Sequence, residues 1–138
     1  MLSEITTIIP TRNRVSFLEK TIISILNQSD DYINKIIICD NASEDSTEEL
    51  VNKFQNKYKN IKYFKHKTNI GLYQNFSFGI SKVKTKYFNL ISDDDQLARG
   101  YLHYCLNIFP GSDPLLNLSS PLLSKQLFFM TLLKTWVV

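Results

Sequence analysis

Residues 88–97 read Phe88-Asn89-Leu90-Ile91-Ser92-Asp93-Asp94-Asp95-Gln96-Leu97, an apolar run that stops in three consecutive carboxylates. A short apolar run bounded by turn residues suits a strand covered on both faces, which puts the acids at the strand's carboxyl end. Adjacent ionised Asp side chains repel one another, so a fold that keeps three together there is expected to supply a cation. A solvated turn in which one Asp caps the next helix is the competing reading.

Outward from this stretch, strands and helices alternate. Ile5 to Pro10 is rich in β-branched residues and reads as a short buried strand ended by Pro10, followed by the polar loop Thr11-Arg12-Asn13-Arg14. Ser16 with Glu19 offers a capping box, and Leu18, Ile22, Ile25 and Leu26 share one stripe, predicting a helix over about Phe17 to Gln28. Ile33 to Cys39, with the apolar run Ile36-Ile37-Ile38 at its centre, reads as a second strand covered on both faces, ending in Asp40-Asn41-Ala42-Ser43. Ser46 with Glu49 caps a second helix carrying Leu50, Val51, Phe54 and Tyr58. Ile61 to Lys65 alternates apolar residues with lysine, as expected of a strand near a sheet edge. Asn69-Ile70-Gly71 opens a third helix with an expected apolar face of Leu72, Phe76, Ile80 and Val83, and Gly79 inside it suggests close backbone approach. Tyr87 to Ile91 is the fourth strand, and Leu97, Tyr101, Tyr104, Cys105 and Ile108 mark a last helix stopped by Pro110-Gly111.

This alternation predicts an α/β fold: an open, mostly parallel sheet with helices on both faces. In such sheets the loops after the strands gather at one carboxyl edge, where ligands bind. Thr11 to Arg14, Asp40 to Ser43 and Asp93 to Asp95 are all such loops, which favours the cation reading of the triplet. Arg12 and Arg14 are placed to approach phosphate oxygens. A divalent cation held by two or three carboxylates keeps positions open for a diphosphate.

Composition narrows the remainder. The 138 residues suffice for one core-bearing domain, and 43% apolar content suits a globular chain. The formal charge of +3 is mild, and the lysines concentrated between Lys53 and Lys86 lack a basic helix or stacking aromatics, so nucleic acid is not an expected partner. Cys39 and Cys105 are far apart and His66 and His103 solitary, which excludes a zinc site and a disulfide scaffold and fits a reducing cytosol. The N-terminus lacks signal-peptide character, and no segment reaches the ~20 apolar residues of a membrane helix. No G-x-G-x-x-G or G-x-x-x-x-G-K-[ST] occurs, which disfavours dinucleotide oxidoreductases and P-loop NTPases. Residues 1–110 are expected to form the ligand-binding domain. Residues 111–138, Leu-rich and without a sustained period, read as a truncated or altered end or as a peripheral membrane or partner contact.

Four ordered motifs, Thr7-Ile8-Ile9-Pro10-Thr11-Arg12-Asn13-Arg14, Ile38-Cys39-Asp40-Asn41-Ala42-Ser43-Glu44-Asp45-Ser46-Thr47, Asn69-Ile70-Gly71 with Asn75 and Gly79, and Ser92-Asp93-Asp94-Asp95-Gln96-Leu97, resemble those of family 2 glycosyltransferases, enzymes of the Rossmann-like GT-A fold. The resemblance implies a nucleotide-diphospho-sugar donor, a Mg or Mn ion, a saccharide or lipid-linked acceptor and transfer with inversion, in surface polysaccharide or glycolipid synthesis. It implies a donor site of Pro10, Thr11, Arg12, Asp40, Asn69, Asn75 and Asp93, with Thr11 and Asp40 at the base and Asp93 at the ribose or metal. Asp94 and Asp95 are implied as metal ligands. A cytoplasmic location is expected, peripheral at the inner face of the membrane if the tail makes that contact. The pattern departs from the family at Asn41 and Ala42, where Asp and Gly are usual. The family's general base is expected beyond the matched region, where Asp113 is the single acid downstream of Asp95. Two other readings remain: a non-catalytic nucleotide-binding fragment without the acceptor half, and a receiver-type signalling domain, whose acidic pair should follow the first strand, where this chain has Thr11-Arg12-Asn13.

Overall fold

A computed structural model of the chain describes residues 3–28, 32–85 and 87–108, and the expected tail over 111–138 lies outside the described residues. The elements run β1 (Ser3–Thr11), α1 (Val15–Leu26), β2 (Tyr32–Asp40), α2 (Thr47–Lys57), β3 (Ile61–Lys65), α3 (Leu72–Ser81), β4 (Tyr87–Leu90) and α4 (Tyr101–Ile108). All strand pairs are parallel, in the order β3-β2-β1-β4, so β3 takes the edge position its lysines suggested.

Period-two alternation divides the core between two faces. Ile5, Ile9, Ile36 and Ile38 point to one face, where Leu18, Ile22 and Ile25 of α1, Val51 of α2 and Leu102 of α4 cover them. Ile8, Ile37 and Cys39 point to the other, packed against Phe78, Ile80 and Val83 from α3 and its C-terminal end. Burying a side chain of this size contributes about 1.5–3 kcal/mol, so the central strands carry most of the apolar stabilisation.

The structure corrects three local expectations. Neither capping box forms: α1 starts at Arg14 and α2 at Ser46 without side-chain caps. Asp45 serves both helices instead, accepting the Val15 N–H at 3.1 Å on one oxygen and the Thr47 N–H at 3.1 Å and the Thr47 hydroxyl on the other. A charged acceptor reaching both helix starts outcompetes the neutral hydroxyls of Ser16 and Ser46. Burial works against the Asp45 charge, but these hydrogen bonds hold its carboxyl below the usual carboxylate value.

On the α3 side, Ile80 and, just past the helix, Val83 of the expected stripe pack on the sheet and Gly79 makes the expected close approach, but the fully inward positions are Asn75 and Gly79, and Leu72 is 59% exposed. A Cβ on Gly79 would lie 2.6 Å from Ile8 Cγ2 and 3.1 Å from Cys39 Sγ, so only glycine lets the helix sit this close to the sheet. Leu97 is buried but precedes α4, because Gly100, with φ 77°, breaks the chain direction before the helix begins at Tyr101.

Ala42 adopts φ 61° at the position where the resembled motif carries glycine. A left-handed residue with a Cβ costs about 1–2 kcal/mol, part of which glycine loses again to backbone entropy. Ala42→Gly is therefore expected to stabilise the fold by about 0.5–1 kcal/mol in urea unfolding, and a destabilised variant would contradict this geometry.

Candidate functional site

The strand order changes direction at β1, which lies between β2 and β4, and an open cleft of 690 Å³ sits at the carboxyl edge there. Pro10, Thr11, Arg12 and Arg14 line it from the β1 loop, Asn41 from the β2 loop, and Asn69, Gly71, Leu72, Asn75 and Phe76 from the entry to α3. Leu90 to Asp93, and Asp95, close the side formed by β4.

At the centre, Thr11 donates its hydroxyl to Asp93 Oδ2 at 2.7 Å, joining the loops of neighbouring strands. Asp93 is buried, with 5% exposure. Burial pushes its carboxyl above the usual value, against the lowering effects of the Thr11 hydroxyl and the Arg14 guanidinium. Arg14 Nη1 lies 3.4 Å from Asp93 Oδ1 and 2.8 Å from Asp94 Oδ2, so one guanidinium spans both acids. Asp94 is exposed and accepts the Ser92 hydroxyl, which together with Arg14 holds its carboxyl below the usual value. A backbone bond from Asp95 N to Ser92 O, 3.2 Å long, folds the triplet into a tight turn.

The triplet and the chain after it are held from below by a polar stripe on α1 and just past its end that the sequence reading missed. Thr21 Oγ1 lies 2.8 Å from the Asp93 carbonyl and 2.7 Å from the Asp95 carbonyl. Ser24 accepts the Leu97 N–H at 3.0 Å, and Gln28 donates to the Ala98 carbonyl at 3.0 Å while accepting the Leu102 N–H at 3.3 Å. Thr21, Ser24 and Gln28 fall at i, i+3 and i+7, so helical periodicity carried the signal, but it was read for apolar residues alone.

Of the residues expected at a donor site, the cleft brings together Pro10, Thr11, Arg12, Asn69, Asn75, Asp93 and Asp95. Asp40 and Asp94 are not among its lining residues. Asp40 is fully buried beneath it, accepting the Ser43 N–H at 2.8 Å and the Tyr63 hydroxyl at 2.5 Å. Burial, followed by this bond to Asp40, pushes the Tyr63 hydroxyl well above its usual pKa, so it stays protonated as a donor. Asn41, itself buried, takes the cleft-lining position just after β2, donating to Asn69 Oδ1 at 2.7 Å and accepting the Ile70 N–H at 2.8 Å. Asn75 donates to the Cys39 carbonyl at 2.8 Å and shares a 3.0 Å hydrogen bond with His66, fixing α3 against β2 and β3. Burial pushes the Cys39 thiol up to about 12, against a smaller lowering effect of Lys82, which leaves it an unreactive packing residue.

Residues 6–117 match the family described as Glycosyl transferase family 2. The abequosyltransferase RfbV of Salmonella typhimurium is 38% identical over 96 residues, 68% of this chain and 29% of that protein. The GalNAc(5)-diNAcBac-PP-undecaprenol beta-1,3-glucosyltransferase of Campylobacter jejuni is 33% identical over 102 residues, 73% of this chain and 33% of that protein. The chain thus spans a third or less of the length of these two curated relatives. The mannosyltransferase PcManGT of Pyrobaculum calidifontis, solved with GDP-Man and Mn2+, superposes with a TM-score of 0.73 at 16% identity, over 94% of this chain and 39% of that one. At that identity the likeness carries the fold alone, and the parallel sheet with helices on both faces is the GT-A arrangement. With most of its length inside the match, the chain belongs to glycosyl transferase family 2.

Proposed function

We propose that this chain supplies the donor-binding portion of a glycosyltransferase, in which the cleft beside β1 and β4 takes a nucleotide-diphospho-sugar whose sugar passes with inversion to a saccharide or lipid-linked acceptor. The observation that carries this reading is the convergence of Thr11, Arg12, Arg14 and Asp93 in one cleft at the carboxyl edge. The abequosyl- and undecaprenol-linked glucosyltransferase activities of the relatives support surface polysaccharide or glycolipid synthesis as the setting. We place the reaction on the cytoplasmic side, a setting that suits two unpaired buried cysteines, with peripheral contact at the inner membrane face.

Among the described residues no three His, Cys, Asp or Glu side chains converge as a ready-made metal cage. Asp93, Asp94 and Asp95 nonetheless fit a Mg or Mn ion that arrives with a diphosphate, since such ions use one or two carboxylates and take further ligands from phosphate and water. Asp94 and Asp95 are the exposed carboxylates of the triplet, with the buried Asp93 behind them. Bound there, the ion would neutralise charge on the departing diphosphate. Arg12 and Arg14 add charge-assisted hydrogen bonds to phosphate oxygens. Pro10 and Thr11 form the wall against the nucleoside, Asn69 and Asn75 shape the α3 side, and Asp40 acts from beneath through Ser43 and Tyr63.

Calorimetry tests the reading: UDP or GDP should bind in a Mn2+-dependent manner, and Asp94→Ala should weaken that binding at least ~10-fold, the loss of about 1.4 kcal/mol. Metal-independent binding, or an Asp94→Ala variant that binds like the parent, would defeat it.

A further inference from the structure

Arg14 stands apart from the rest of the cleft because its partners are the very groups assigned above to the metal. Its Nη1 bridges Asp93 Oδ1 and Asp94 Oδ2, and no other cation is paired with the triplet among the described residues. The side chains of Arg14 and Asp94 are 49% and 44% exposed, so the pair is solvated and either partner can exchange it without opening the core. Arg14 also begins α1 at the cleft wall, so its head group needs only a rotamer change to turn from the acids to the open cleft.

We propose that Arg14 is an exchangeable counter-cation: in the donor-free state it neutralises Asp93 and Asp94 and competes with a divalent ion, and it moves to the diphosphate when the ion and nucleotide bind together. This rests on the donor-site reading above. The two charges it handles are never both satisfied by one position. Against bare acids the guanidinium is attracted and an incoming Mn2+ is repelled; once the ion sits on Asp94, the guanidinium is repelled and the phosphates attract it. The arrangement makes metal binding depend on the nucleotide, because only the diphosphate gives Arg14 somewhere better to go.

The test separates opposite signs. Mn2+ affinity is measured on the parent chain and on Arg14→Gln and Arg14→Lys, by electron paramagnetic resonance of the free aquo ion, first alone and then with UDP or GDP. Exchange requires Arg14→Gln to bind Mn2+ alone about 3- to 10-fold more tightly while binding Mn2+–nucleotide about 10-fold or more weakly, with Arg14→Lys restoring much of both. Weakening of both by Arg14→Gln would mean that Arg14 merely braces the acidic turn, and unchanged Mn2+ affinity would mean that it never competes; either result overturns the proposal while leaving the donor site standing. If the parent binds Mn2+ neither alone nor with nucleotide, the donor-site reading falls and the exchange falls with it. Circular dichroism of each variant confirms that the comparison is made on folded protein.

Discussion

Gly79→Ala should destabilise the fold by about 2 kcal/mol, against the usual direction of glycine-to-alanine changes inside a helix. Propensity alone favours alanine by about 1 kcal/mol, whereas overpacking a rigid core costs about 1–3 kcal/mol. Geometry decides between them. The new Cβ would stand 2.6 Å from Ile8 Cγ2, and Ile8 is fully buried on a strand paired on both sides. Cys39 Sγ, at 3.1 Å, blocks the other escape, so α3 must lift as a unit. Asn75 would then lose its bond to the Cys39 carbonyl, and Gly71, Leu72 and Phe76 would leave the cleft wall. Urea unfolding measures the loss, and truncating Ile8 to Ala should shrink the additional cost of Gly79→Ala in a double-mutant cycle. Equal costs in both backgrounds would mean that helix and strand do not meet at this point.

Thr21→Val should cost about 1–3 kcal/mol although it preserves shape, because it removes the hydroxyl donor that α1 presents to the backbone of the acidic turn. Thr21 is fully buried, and its single hydroxyl hydrogen is within reach of both the buried Asp93 carbonyl and the Asp95 carbonyl, which share it. Stability is the smaller part of the expected effect. Those two carbonyls fix the turn that presents the acids, so Mn2+-dependent nucleotide affinity should fall about 10-fold, whereas Thr21→Ser, which keeps the hydroxyl, should bind like the parent. A Thr21→Val variant with reduced stability and full affinity would show that the turn holds itself together.

The fold was legible from residue pattern to a degree that differs by element. β-branched runs at Ile5–Ile9 and Ile36–Ile38 could hardly be anything but covered strands, and the lysines of β3 marked an edge. Loops after strands then placed Thr11, Asn41 and the Asp triplet at one rim without further information. Ser46 holds as the start of α2, but the capping partners were misread, and for α1 the partner, Asp45, lies 30 residues away, beyond any local motif. The face of α3 was legible in part: Gly79, Ile80 and Val83 meet the sheet as expected, whereas Leu72 is exposed and the inward Asn75 is polar, a position that an apolar count does not register. Position alone put Asp40 at the site, whereas its hydrogen bonds to Ser43 and Tyr63 became legible only in three dimensions. The Arg14 bridge joins residues about 80 apart in sequence, a pairing no local pattern encodes.

Asp45 carries a consequence for how the molecule breathes. One carboxylate ends the open hydrogen-bonding positions at the start of both α1 and α2, which belong to successive strand–helix units. Fraying either helix start strands the other's bond partner, so the two first turns should open as a single cooperative unit rather than as independent local events. The β1 and β2 loops that form the cleft floor feed directly into those turns. Whatever occupies the cleft therefore meets a floor that yields all at once or not at all.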